Sequence, residues 1–146
     1  MRKFLLAILF IFISCTYCFA QKEANMWKFA YGNGLNFNQL QTVNSTNGSL
    51  VTENMPTFLS GSQLNTLEGC FTLSDSDGNL MMYSDGMKVY NKNDIQMPNG
   101  AGLAGGNSST QSGIVIPVPG DYDKYYIVTV AEFQGNTLNR QFNISN

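Results

Sequence analysis

Residues Leu64–Pro117 read LNTLEGCFTLSDSDGNLMMYSDGMKVYNKNDIQMPNGAGLAGGNSSTQSGIVIP. Phe71 and Leu73 sit two positions apart, the spacing that places side chains on one face of a strand. Asp75-Ser76-Asp77-Gly78-Asn79 then supplies residues that tight turns favour. Leu80-Met81-Met82-Tyr83 is apolar at every position, which predicts an interior strand of a sheet covered on both faces. Asp85-Gly86 predicts a two-residue hairpin with positive φ at both positions, and Met87-Lys88-Val89-Tyr90 is the returning strand. Three antiparallel neighbours follow from this run. Beyond a Gly-, Ser- and Asn-rich connection from Asn99 to Gln111, Ile114–Ile116 and Tyr125–Val130 form a β-branched pair across Pro117–Lys124.

The same period of two extends outward in both directions. Trp27, Phe29 and Tyr31 alternate, Gly32-Asn33-Gly34 offers a turn, and Leu35 and Phe37 alternate again, which predicts a hairpin. Gln39–Ser62 is polar and reads as a loop with one edge strand at Leu50 and Val51. Phe142 and Ile144 open another alternation near Asn146, and an unpaired strand edge there suggests a truncated sequence. No ten-residue window carries a helical stripe, so the expected fold class is all-β, built from antiparallel meanders.

The opening residues read as an export signal. Arg2 and Lys3 precede an unbroken apolar run from Phe4 to Ile13, of signal-core length and too short to span a bilayer. Cys18-Phe19-Ala20 places small residues where a signal peptidase reads, so residues 1–20 are expected to leave, with cleavage between Ala20 and Gln21. Lipid attachment at Cys15 is the alternative, although Phe12 stands where an aliphatic residue is usual. No stable membrane span is expected after cleavage, and the destination is the exterior or the cell surface.

Residues 21–146 leave 126 positions, enough for one modest core. Without Arg2 and Lys3 the remaining six basic side chains face ten acidic ones, a net charge near −4 with no basic block. Nucleic acid is therefore not an expected partner, because backbone binding needs clustered Lys and Arg. Cys70 is the one thiol in this portion, which rules out an intramolecular disulfide, and it reads as a small core residue on a strand.

Several fragments occur in a fixed order: Trp27 with Gly32-Asn33-Gly34-Leu35-Asn36-Phe37, Leu64-Asn65-Thr66-Leu67-Glu68-Gly69, and Ser74-Asp75-Ser76-Asp77-Gly78-Asn79-Leu80. Tyr83-Ser84-Asp85-Gly86, Val89-Tyr90-Asn91-Lys92, Met97-Pro98-Asn99-Gly100 and Ser108-Ser109-Thr110-Gln111-Ser112 continue the series, which Pro117 and Tyr125-Tyr126-Ile127 complete. Together they resemble the amino-terminal part of gliding-motility-associated bacterial proteins that leave by the type IX secretion route. The resemblance implies a β-propeller-like domain, with type IX or general secretion machinery as a partner. A propeller takes at least four blades of roughly 40–50 residues, so this length supplies two to three, an incomplete ring. A small carbohydrate-binding β-sandwich is the alternative architecture.

Candidate chemistry is sparse. With no histidine in the chain, Ser108, Ser109, Thr110, Ser112 and Cys70 lack the usual activating base, and Lys88, Lys92 and Lys124 sit in no catalytic motif. Asp75-Ser76-Asp77-Gly78-Asn79 partly resembles an oxygen-ligand calcium loop, but Gly78 stands fourth and Gly86 twelfth, so a hairpin turn is the preferred reading and no metal or cofactor is expected. Glu68, Asp85, Asp94 and Glu132 are the carboxylates from which glycosidase chemistry would have to draw, and they read as turn or surface charges. Gly100–Gly106 lacks the Lys-Ser or Lys-Thr of a phosphate loop. The aromatics Trp27, Phe29, Tyr31, Tyr83, Tyr90, Tyr125 and Tyr126 read as core, Tyr122 as an exposed turn residue, and Met97–Gln111 as the candidate contact loop. The expected function is a non-enzymatic exported scaffold for adhesion, motility or macromolecular binding, with a surface glycan or protein as ligand. A calcium-dependent propeller hydrolase is the rival.

Overall fold

The computed structural model describes residues 22–44, 47–48, 51–131 and 142–145, with the side chains of residues 122 and 142–145 left aside. The expected leader with its Ala20/Gln21 cleavage point, the lipidation alternative at Cys15, and residues Leu50 and Glu132 lie outside the described residues. The described residues are all-β and contain no helix; none is therefore long and apolar enough to cross a membrane.

Among the described residues ten strands form three antiparallel sheets. The first holds β1 (Met26–Phe29), β2 (Asn33–Asn44) and β3 (Val51–Leu59) in that order. The second is a meander of β4 (Phe71–Ser74), β5 (Leu80–Ser84), β6 (Lys88–Asn91) and β7 (Gln96–Ala101). The third places β9 (Asp121–Val130) between β8 (Gly113–Val118) and β10 (Phe142–Ser145). Among the described residues the sheets are open, and no closed ring is formed. Pro56, Pro98 and Pro117 all fall on edge strands, where a missing N–H breaks no interior ladder.

The expected central strand is as the apolar run implies: β5 lies between β4 and β6, with Met82 at 7% exposure and Tyr83 at 0%. Other expectations are corrected. The first hairpin turns at Tyr31-Gly32, both at positive φ (59° and 76°), one step ahead of Gly32-Asn33-Gly34. Gln39–Ser62 is no loop: it contributes most of β2 and all of β3, whose ladder runs from Gly34↔Leu59 to Asn44↔Val51 with two register shifts. Asp85-Gly86 does not form the expected turn, since Gly86 alone has positive φ (83°). Ser84 pairs with Val89, and the Asp85 carboxylate closes this longer connection by accepting from the Met87 and Lys88 amides at 2.9 and 2.8 Å. The connection read from Asn99 begins inside β7, which adds a fourth strand. Cys70 precedes β4 and is half-buried instead of lying within a strand. Trp27 and Tyr31 are 50% and 64% exposed, which contradicts their reading as core.

Side chains join the sheets where no ladder does. The Lys28 amide on β1 donates to Thr72 Oγ1 on β4 at 2.8 Å, and Cys70 Sγ lies 3.2 Å from the Lys28 carbonyl. Beneath this seam Tyr83 donates to Asp94 Oδ1 at 2.6 Å and accepts from the Gln63 amide at 3.0 Å. Lys28 Nζ stands 3.6 Å from the same carboxylate and 5.4 Å from the Tyr83 ring centre, while Tyr90 stacks on Tyr83 at 5.3 Å. Lys28 is only 8% exposed, so its ammonium has given up most of its water and depends on Asp94 and the ring face.

The segment after β7 is stitched down as well. Leu67 and Gly69 donate to the carbonyls of Asn107 and Ser109, and Gly105 donates to that of Gly86. Backbone atoms of Ser109 and Ser112 press on Gly69 so closely that a Cβ there would collide with them.

The network predicts an asymmetry in urea unfolding. Asp94 has φ +61°, which asparagine tolerates, so Asp94→Asn tests charge alone; stranding the Lys28 ammonium should cost about 2–3 kcal/mol. Lys28→Met should cost less than about 1 kcal/mol, because Asp94 remains 34% exposed and keeps the Tyr83 hydroxyl. Equal losses would show that the pair is not coupled. Burial, then the Asp94 hydrogen bond, raises the Tyr83 phenol well above its ordinary value. The unfolded chain thus releases this proton first, and stability should fall with pH above about 10, less steeply in Tyr83→Phe.

Candidate functional site

A cleft of about 1010 Å³ opens between the start of β2, the turn from Asp75 to Asn79, and the first half of β9. Its shape follows from one residue. Asn38 accepts from Asn25 Nδ2 at 2.9 Å, donates through Nδ2 to the Gly78 carbonyl at 2.7 Å, and donates through its own amide to Asn36 Oδ1 at 2.9 Å. The Gly78 bond pins β2 to the acidic turn of the neighbouring sheet and fixes the distance across the groove, while the other two orient Asn38. Met81, Phe37 and Tyr125 give it an apolar lining, with the Tyr125 hydroxyl 3.8 Å from Met81 Sδ.

Asp75 is committed to its own turn. Its Oδ1 accepts from the amides of Asp77 and Asn79 at 3.0 and 2.8 Å, and Asn79 Nδ2 reaches its Oδ2 at 3.0 Å. The Asn79 side chain first, and the backbone donors after it, hold this carboxyl below its ordinary range. Donors thus occupy Oδ1 and one position on Oδ2, which leaves little of the carboxylate for a calcium ion, and Gly78 at φ +89° lets the chain reverse into β5. Among the described residues no group of three or more His, Cys, Asp or Glu side chains is placed to hold a metal ion.

The remaining candidates are dispersed. Asp85 caps the β5–β6 connection, Asp94 belongs to the buried network, and Glu68 is exposed in the segment before β4. Ser109 donates to the Val130 carbonyl at 2.9 Å, and the Ser112 hydroxyl is buried without a side-chain partner. Lys124 pairs with Asp121 at 2.8 Å, while Lys88 is exposed on β6. Burial, reinforced by the Asp85 charge, pushes the Cys70 thiol upward, away from the thiolate that nucleophilic chemistry requires. Met97–Gln111 is only partly a surface loop, because residues 103–109 hydrogen-bond to Met87, Gly86, Leu67 and Gly69.

Two smaller clefts lie between sheets. One of about 510 Å³ separates β7 from β9, lined by Met97, Pro98, Tyr125 and Ile127. The other, about 500 Å³, is flanked by Trp27–Phe29 of β1, Phe71–Leu73 of β4 and Gly113–Val115 of β8. The sequence reading missed Lys28, Asn36 and Asn38, whose roles arise from partners up to 66 positions away in the chain. Comparison with protein families, curated proteins and solved structures finds no match.

Because Asp75 is held ionised by its turn, Asp75→Ala should speed hydrogen exchange at the Asn79 amide. It should also remove the part of the acid-side stability loss that begins below about pH 4, where the unfolded chain takes up this proton before the folded chain does. Calcium-dependent protection of Asn79 in the unaltered protein would contradict the assignment of Asp75 to the turn alone.

Proposed function

We propose that the chain is an exported or cell-surface, non-catalytic binding scaffold whose three sheets are successive blades of a β-propeller. One observation carries this reading. The first strands of the three consecutive sheets, β1, β4 and β8, come together: β4 packs beside β1 and beside β8, and all three flank the cleft of about 500 Å³. In a propeller the first strand of each blade lines the central channel, and later strands step outward in chain order. The order β4-β5-β6-β7 follows that rule, as does β1-β2-β3, and β8-β9-β10 repeats it. A two-layer sandwich would stack sheets face to face without bringing three first strands to a common axis.

A ring takes at least four blades, more than the three described sheets. The side-chain faces at both ends of the row favour packing against further blades: Trp27 and Phe58 are exposed on the first sheet, Ile114 and Ile116 on the third. Adhesion, motility or macromolecular contact is the role in keeping with the resemblance to gliding-motility-associated proteins of the type IX route. Asp75, engaged by its own turn, argues against the calcium-dependent hydrolase.

The test is to recover the full-length product from the envelope and medium of a producing cell and read its amino terminus. The product is then held against cell-surface material and against ester and lactone substrates. A start at Gln21 with saturable retention and no turnover is the expected result; chelator-sensitive hydrolysis would overturn the reading.

A further inference from the structure

We propose that the groove between β2 and the turn from Asp75 to Asn79 binds a neutral polysaccharide chain. This rests on the binding-scaffold reading and narrows it to a class of ligand. A sugar ring carries vicinal hydroxyls, each a donor and an acceptor, around an apolar face of C–H bonds. A matching surface needs planar amides and carboxylates on its walls and flat or polarisable apolar groups beside them.

The groove has both. Among the described residues, Asn36 Nδ2, the Asn93 side-chain carboxamide and the carboxylates of Asp77 and Asp123 line it with no protein hydrogen bond of their own. Amides offer donor and acceptor side by side, and a carboxylate accepts from two neighbouring hydroxyls at once. Phe37, Tyr125 and Met81 supply the apolar component. The Asn38 bond to the Gly78 carbonyl sets the groove's width before any ligand arrives, and the bonds from Asn25 and to Asn36 hold the Asn38 side in place, so little ordering entropy is lost on binding.

Charge and shape select the class. The carboxylates of Asp75, Asp77 and Asp123 outnumber the ammonium groups of Lys22 and Lys92, which disfavours phosphate-bearing or anionic chains. At about 1010 Å³ the groove exceeds most small-molecule pockets, which run to roughly 1,000 Å³, and it is open to solvent, as an extended chain requires. Its unpaired polar groups are side chains on a strand start, turns and the head of β9, whereas an extended peptide would seek the backbone groups of a free strand edge.

Affinity electrophoresis of the full chain through gels containing laminarin, dextran, mannan or galactan, with alginate as the anionic control, tests the assignment. At least one neutral polymer should retard the protein. Asn93→Ala combined with Asp77→Ala should weaken that retardation about tenfold or more, whereas Glu53→Ala, on β3, should leave it unchanged. Both groove positions are exposed and their side chains hold no internal contact, so circular dichroism should match the unaltered chain. Retardation by alginate alone, by none of the neutral polymers, or equally in the double variant would overturn the proposal. Retention on other cell-surface material by the double variant would remove the groove assignment and leave the scaffold reading standing, whereas depolymerisation of a bound glycan would remove the scaffold reading itself.

Discussion

The buried contact of Tyr83 with Asp94 and Lys28 is the constraint from which the rest of the architecture follows. Tyr83 is fully buried at the centre of the meander, and its hydroxyl meets a carboxylate held at positive φ in the β6–β7 turn. That carboxylate in turn faces the ammonium of a residue on a different sheet. An ammonium at 8% exposure is tolerable only while its counter-charge and the aromatic face stay in place. The first sheet is thereby fixed to the second at one point, and Thr72 satisfies the adjacent β1 amide that would otherwise form an open edge.

From that point the groove is a geometric consequence. With β1 seated beside β4, the start of β2 is carried past the β4–β5 turn, where Asn38 reaches the Gly78 carbonyl. The third sheet is attached differently, through the stitched segment, whose Ser109 hydroxyl donates to the Val130 carbonyl of β9 at 2.9 Å. Buried hydroxyls without protein partners occur at both junctions, Ser74 on β4 beside the first and Ser112 and Thr129 beside the second. Among the described residues the apolar core is small, with Leu64, Met82, Tyr83 and Val89 as its buried members, so directional contacts carry an unusual share of the order between sheets.

Much of the strand content was legible from the period of two, and the reason is local. Leu80–Tyr83 is apolar on both faces because β5 has neighbours on both sides and is covered above and below. The long hairpin of β2 and β3 was illegible because Gln39, Gln41, Thr42 and Asn44 leave both faces of its outer part in water, and backbone pairing with one Gln41 side-chain bond to the Pro56 carbonyl holds it. β7 was hidden for a similar reason, since Pro98, Asn99 and Gly100 read as turn residues yet sit on an edge strand that asks less of them. Trp27 alternated like a core residue and lies half in solvent, its ring set 5.1 Å from Phe37 and its indole donating to the Ala24 carbonyl. The groove was beyond the sequence altogether: Asn36, Asp77 and Asp123 are ordinary polar residues until three sheets place them around one space.

If the buried network organises the sheets as described, it should govern how they come apart. Native-state hydrogen exchange on Asp94→Asn measures this directly. The account predicts that amides of β1 and β2 lose protection well before those of β5 and β6, because the first sheet is released while the meander stays paired. Uniform loss of protection across all three sheets, or unchanged protection at β1, would contradict it.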